Sequence, residues 1–177
     1  MHYEKTANKV IDVFKTHWVV LVTGTLVVFA LGFITLGLLF GPLAAGLGSM
    51  FIKAKAGKKP VFNDLFQFNS KFIPMAIMGL LIGIAVSFGL ALLILPGLLL
   101  AALWMYSIYA MAYDGKSIGE SMKASWQMVL KTGLWQHVVI LLVIGALNSI
   151  GGAIVAGILV TFPLSIGFLA LTYEDNK

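Results

Sequence analysis

The sequence has no cysteine and no arginine, and its 12 lysines and 7 acidic residues leave only 11% of 177 positions charged. Without cysteine there is no disulfide, no thiolate metal site and no thiol nucleophile. The scarcity of charge excludes more. A soluble domain carries roughly a quarter charged residues to cover its core, so a water-soluble enzyme is ruled out. The formal net charge of +5 and the pI of about 9.5 do not signal nucleic acid. A dozen scattered lysines cannot build a face that holds a duplex, and no nucleic-acid partner is expected. What the chain has instead is apolar surface, with 60% hydrophobic residues and a mean hydropathy of +0.99. It reads as a membrane protein.

Three stretches contain no Asp, Glu, Lys or Arg: Trp18 to Ile52, Phe72 to Tyr113 and Thr132 to Tyr173, of 35, 42 and 42 residues. As straight helices they would be ~52 to ~63 Å long, against a hydrocarbon core ~30 Å thick. Each is too long for one crossing and suits two helices folded back on each other. Gly41-Pro42, Pro96-Gly97 and Gly151-Gly152, with Pro163 beyond, mark the expected breaks. The expected fold is therefore all-α, with six transmembrane helices as three hairpins.

All the lysines lie outside these runs, in four groups: Lys5 to Lys15, Lys53 to Lys71, Lys116 to Lys131, and Lys177. If each run is a hairpin, every group falls on one face. The positive-inside rule makes that face cytoplasmic, with both termini on it. The first run is too long for a signal-peptide core and lacks a cleavage pattern, so the first helix is expected to remain.

Short stretches leading into the runs resemble one another. Phe14-Lys15-Thr16-His17-Trp18, Phe68-Asn69-Ser70-Lys71-Phe72 and Leu130-Lys131-Thr132-Gly133-Leu134-Trp135 each pair a lysine with an aromatic. Upstream, Tyr3, Ala7, Val10, Ile11, Phe14 and Trp18 share a helical face, as do Ile118, Met122, Trp126, Val129 and Leu130, and less regularly Phe62, Leu65, Phe66 and Phe72. Pro42-Leu-x-x-Gly46 is echoed by Pro163-Leu-x-x-Gly167. The expected unit is a cytoplasmic amphipathic helix plus a hairpin, used three times over about 1–60, 61–116 and 117–177 in one polytopic domain.

Asn63-Asp64-Leu65-Phe66-Gln67-Phe68, then Glu120-Ser121-Met122-Lys123-Ala124-Ser125-Trp126 followed by Lys131-Thr132-Gly133, and finally Tyr173-Glu174-Asp175 carry a resemblance. They are similar to elements of a loose group of bacterial six-span proteins of unknown function, the YciC-like proteins and the membrane region attached to some glycerophosphodiester phosphodiesterases. The resemblance implies the fold and a bacterial inner (cytoplasmic) membrane location. The phosphodiesterase barrel and its metal ligands have no counterpart here, so that activity does not follow.

No metal, cofactor or nucleophile signature stands out. His2, His17 and His137 are scattered, and no H-E-x-x-H, paired carboxylate or G-x-S-x-G occurs. His17 and His137 lie beside Trp18 and Trp135 and read as interfacial anchors. No catalytic residue, cofactor or metal is therefore expected. Lys53, Lys55, Lys58 and Lys59 are expected to contact lipid headgroups. Phe14, Trp18, Phe66, Phe72, Trp126 and Trp135 are the interfacial anchors. Gly79 and Gly83, and the series Gly145, Ser149, Ala153 and Gly157, place small residues four apart and are expected to pack helices, more readily within the chain than between copies. Tyr106, Tyr109 and Asn148 are the candidates for a polar path, although Asn148 reads first as helix glue or a turn cap. The leading expectation is a non-enzymatic membrane-organising or partner-binding subunit, with membrane lipids and a protein partner or second copy as partners. A small permease or lipid-handling channel is the alternative, and the membrane anchor of a separate enzyme the next.

Overall fold

The computed structural model describes residues 3–154 and 156–177; His2 lies outside them. Every element among the described residues is helical. In chain order they are α1 (Tyr3–Ile34), α2 (Phe40–Lys55), α3 (Phe72–Leu92), α4 (Ile94–Trp104), α5 (Ser107–Asp114), α6 (Ile118–Thr132), α7 (Leu134–Ala153) and α8 (Ile158–Asn176), with short 3₁₀ turns at Phe62–Phe66 and Asn69–Lys71.

Each charge-free run folds back on itself, but the turns do not fall on the prolines. After α1 the chain reverses through Leu36 (φ 50°) and Gly37 (φ 87°), and the Gly37 N–H reaches back to the Gly32 carbonyl at 2.7 Å. This satisfies a carbonyl the helix end leaves open. Gly41-Pro42, expected to be the break, instead lies in the first turn of α2. There a proline gives up only an N–H that has no helical partner. The second reversal takes a single extended residue, Leu93 (φ −157°, ψ 141°), and Pro96 again falls in the first turn of the returning helix. In the third, Gly151-Gly152 close α7, while Pro163 lies inside α8.

Five segments are long and apolar enough to cross a membrane: α1, α3, the α4–α5 stretch Ile94–Asp114, α7 and α8. These are the marks of a multi-pass membrane protein. The sixth expected crossing, α2, has 16 residues and a length of about 24 Å. It is deeply set, buried at every position from Pro42 to Gly48 and at Met50 and Phe51. Large apolar side chains stand exposed along α3 (Ile73, Leu80, Ile84, Phe88) and α7 (Val139, Leu142, Val143, Leu147). Such faces suit a hydrocarbon surround and would be untenable in water.

The lead-in segments differ from one another. The first is continuous with its span in α1, broken only at His17 (φ −123°, ψ 24°). The third is a separate helix, α6, whose N-terminus is closed by Ser117 and Glu120. The second was expected as a helix and is not an α-helix: Asp64 accepts the Val61 N–H at 2.8 Å and pairs with Lys53, winding Phe62–Phe66 as a 3₁₀ turn.

The interior has two main centres. In one, α2 packs between α1 and α8 around Leu21, Val28, Leu47, Met50, Phe51 and Leu171. Glycines set its spacing. A Cβ on Gly46 would lie 2.1 Å from the Leu65 carbonyl oxygen, and one on Gly167 would lie 2.6 Å from the Phe51 ring. The other centre joins α5, α6 and α8 around Tyr106, Tyr109, Met128, Val129 and Tyr173.

Candidate functional site

Polar contacts gather the lysine groups at one end of the helix bundle. Lys53 Nζ bonds both Asp64 oxygens at 2.8 and 2.9 Å, and Lys55 pairs with Asp175 at the end of α8. Lys71 Nζ donates to the Met111 and Ala112 carbonyls, both at 3.1 Å, closing the C-terminus of α5. Lys116 and Lys177 converge on Asp114, which also accepts the Tyr173 hydroxyl at 2.5 Å. A second contact from Lys177 to Glu174 (2.8 Å) holds its ammonium above the usual lysine range. Tyr3 Oη donates to Gln136 at 3.3 Å across the same end. The four lysines expected to touch headgroups are thereby divided. Lys53 and Lys55 are in ion pairs, while Lys58 and Lys59 stand exposed beyond α2 without an ion pair among the described residues.

The aromatics expected at the interface also divide. Trp18, Trp126 and Trp135 face outward at 55%, 40% and 66% exposure. Phe14 and Phe66 lean inward onto the α1–α2–α8 core, and Phe72 is half-buried. His137, read as an anchor at headgroup level, is instead fully buried. Its Nδ1 donates to the Gly133 carbonyl at 2.9 Å, and its ring meets Tyr106 edge-on at 5.5 Å. The cause is Gly133, whose φ of +109° lets α6 run into α7 in one residue and swings this first turn inward.

Tyr106 and Tyr109, two of the three candidate path residues, are brought together but line no opening. Both stack on Tyr173, with centroids 6.2 and 6.4 Å away and ring planes 30° and 28° apart, and all three are at most 2% exposed. Asn148, the third, is engaged elsewhere. Its amide donates to the Ile144 carbonyl and to Ser165 Oγ, both at 2.9 Å, tying α7 to α8. Ser165 in turn donates to the Thr161 carbonyl at 2.8 Å. No contact among the described residues links Asn148 to either tyrosine.

One residue with a structural role was missed as such. Between α4 and α5 the helix breaks at Met105-Tyr106 with neither proline nor glycine. Ser125 of α6 repairs the break, accepting the Tyr106 N–H at 3.2 Å and donating to the Leu103 carbonyl at 2.7 Å. A buried backbone group left unpaired is costly, so one hydroxyl fixes where the tyrosine stack begins. The Ala124-Ser125-Trp126 element was visible in the sequence, but its carbonyl partner 22 residues upstream was not.

The small-residue series depart from expectation. Nothing among the described residues lies within 4 Å of a Cβ built on Gly79, Gly83 or Gly145, and Ser149 and Ala153 are exposed. These positions do not carry packing inside the chain. Only Gly157 does, a Cβ there meeting the Gly151 carbonyl oxygen at 2.7 Å in the third turn. Gly79 and Gly83 continue through Ser87 and Ala91 along a groove of about 620 Å³ that also touches Leu36, Gly37 and Gly41.

No cluster of three or more His, Cys, Asp or Glu capable of holding a metal occurs among the described residues. Comparison of the chain with protein-family models, characterised proteins and solved structures returns no match. The class the architecture defines is the multi-pass helical membrane protein.

Proposed function

We propose that this chain is a non-enzymatic scaffold of the bacterial inner membrane, built of three hairpins with six crossings, which associates with a partner or a second copy through the small-residue face of α3. Support for a threefold arrangement comes from helix adjacency. The returning helices α2, α5 and α8 touch one another, and the outgoing helices α1, α3 and α7 pack on α8, α2 and α4, each on a returning helix of the hairpin before it in cyclic order. On this reading α2 is a short sixth crossing sheltered from lipid by its neighbours. With it goes membership of the bacterial six-span group, which the Asp64-Leu65-Phe66 and Glu120 to Trp126 elements suggest.

The observation that carries the scaffold reading is the stacking of Tyr106 and Tyr109 on Tyr173, which leaves both of these candidate path residues buried in ring contacts. Meanwhile the open Gly79/Gly83 groove offers the close backbone approach by which membrane helices associate when lipid gives no hydrophobic drive. The test is Gly79→Ile/Gly83→Ile in full-length protein reconstituted in lipid, read by association in the bilayer and by melting temperature. Loss of association at unchanged melting temperature is expected. Unchanged association would overturn the assembly role, and a solute flux that falls in Asn148→Leu at unchanged stability would favour the permease.

A further inference from the structure

We propose that the cleft between the N-terminal turns of α1 and the ends of α2 and α8 binds a phosphate-bearing anion at the membrane surface. This does not depend on the scaffold reading. The cleft has a volume of about 450 Å³, within the range of small-molecule sites. Its walls bring three lysines, Lys5, Lys9 and Lys55, against one carboxylate, Asp175, an excess of two positive charges. Lys5 and Lys9 are four residues apart and so project from one face of α1. Neither makes an ion pair among the described residues, whereas Lys55 is held on Asp175.

Charge alone would make this another basic patch. A second feature makes it a site: Thr172 lines the cleft at 1% exposure, and its buried hydroxyl has no hydrogen-bond partner among the described residues. Buried polar groups are almost always paired, and a rotation of the Thr172 side chain that brings its hydroxyl to the cleft surface would let a phosphate oxygen held by Lys5 and Lys9 supply the missing acceptor. Asn176, whose amide donates to the Thr172 carbonyl at 2.8 Å, stiffens that wall. The apolar Leu171 also contributes to the lining, near the end of the candidate span α8. Lys58 and Lys59 carry two positive charges at an exposed turn beyond α2 and serve as the control.

Full-length protein in neutral detergent is titrated with short-chain phosphatidylglycerol, and separately with inorganic phosphate, following the melting temperature. A saturable rise is expected. Lys5→Gln/Lys9→Gln should weaken the apparent affinity on the order of tenfold, as for loss of a charge-assisted hydrogen bond. Thr172→Val, nearly isosteric, should weaken it less, and Lys58→Gln/Lys59→Gln should leave it unchanged. Melting temperatures without ligand verify that each variant folds. Saturation by phosphatidylglycerol alone assigns the phosphate to lipid, and saturation by inorganic phosphate with the same dependence on the variants assigns it to a soluble source. No saturable response to either, or an equal loss in Lys58→Gln/Lys59→Gln, would overturn the site.

Discussion

Helices α3 and α8 belong to the same chain and are both free of charge through their apolar stretches, yet they live in different surroundings. Among the five candidate spans α3 is the most apolar and α8 the least, but half of the α8 window is buried against 17% for α3. The order is opposite to that of a soluble protein, where the most apolar element goes inside. In hydrocarbon, greasiness draws no helix inward; close approach and polar pairing do. Helix α8 has both, through Gly167 against Phe51 and Ser165 against Asn148. Helix α3 has Gly79 and Gly83 four residues apart with nothing among the described residues within 4 Å of a Cβ built on either.

The sharpest way to break this comparison is to add one methyl to a buried helix, α2, which packs on α8, and one to α3. Gly46→Ala on α2 forces a Cβ to within 2.1 Å of the Leu65 carbonyl oxygen, so the backbones must part, at a cost of about 3 kcal/mol or more. Gly79→Ala should leave the isolated chain as stable or raise its stability by up to about 1 kcal/mol, since alanine favours a helix over glycine and nothing opposes the methyl among the described residues. Unfolding in mixed micelles measures both, and equal losses would erase the distinction between inner and outer helices.

Ser125→Ala should come next. It leaves the Tyr106 N–H and the Leu103 carbonyl unpaired at a buried helix break, for a loss of about 1–3 kcal/mol. Ser149→Ala on the exposed face of α7 should be nearly silent in the same assay. Asn148→Leu removes the bridge from α7 to α8 and should cost about 0.6–1.7 kcal/mol, as other hydrogen bonds between membrane helices do. A larger loss would show that Asn148 does more than bridge the two helices.

The smallest effect concerns pH. Hydrogen bonds from the Ser117 N–H and hydroxyl hold the exposed Glu120 carboxylate below its usual range. A lowered folded value means that the cap stabilises α6 fully above the ordinary glutamate range and is lost as pH falls through the lowered value. Protection factors at Ser121 and Met122, taken relative to the intrinsic exchange rate at each pH, should fall there while those of α8 hold. Protection factors flat with pH would show that the cap does not hold the helix.

Much of this architecture is legible in where the lysines are not. Three uncharged runs, each too long for one crossing, foretell three reversals, and the lysines between them meet at one end as that pattern requires. The positions of the turns were legible only to within a few residues, because Pro42 and Pro96 mark the first turn of a returning helix and not the reversal itself. The site was less legible. Spacing shows that Gly79 and Gly83 share a face but not whether that face meets protein, which depends on helix rotation. The inward turn of His137 and the break repaired by Ser125 depend on partners that no local pattern names. The division of the Lys53 to Lys59 cluster follows from Asp64 and Asp175, the second 120 residues from the Lys55 it meets.

The three-hairpin arrangement underlies the rest of the account, and the absence of cysteine makes it directly accessible. Single cysteines placed as Leu36→Cys, Leu93→Cys and Gly152→Cys at the three reversals, and as Lys58→Cys and Lys116→Cys at the lysine end, are treated in intact cells with a membrane-impermeant maleimide. The account predicts labelling of the first three from outside, and of the last two only after the membrane is opened. Labelling of Lys58→Cys in intact cells would contradict it.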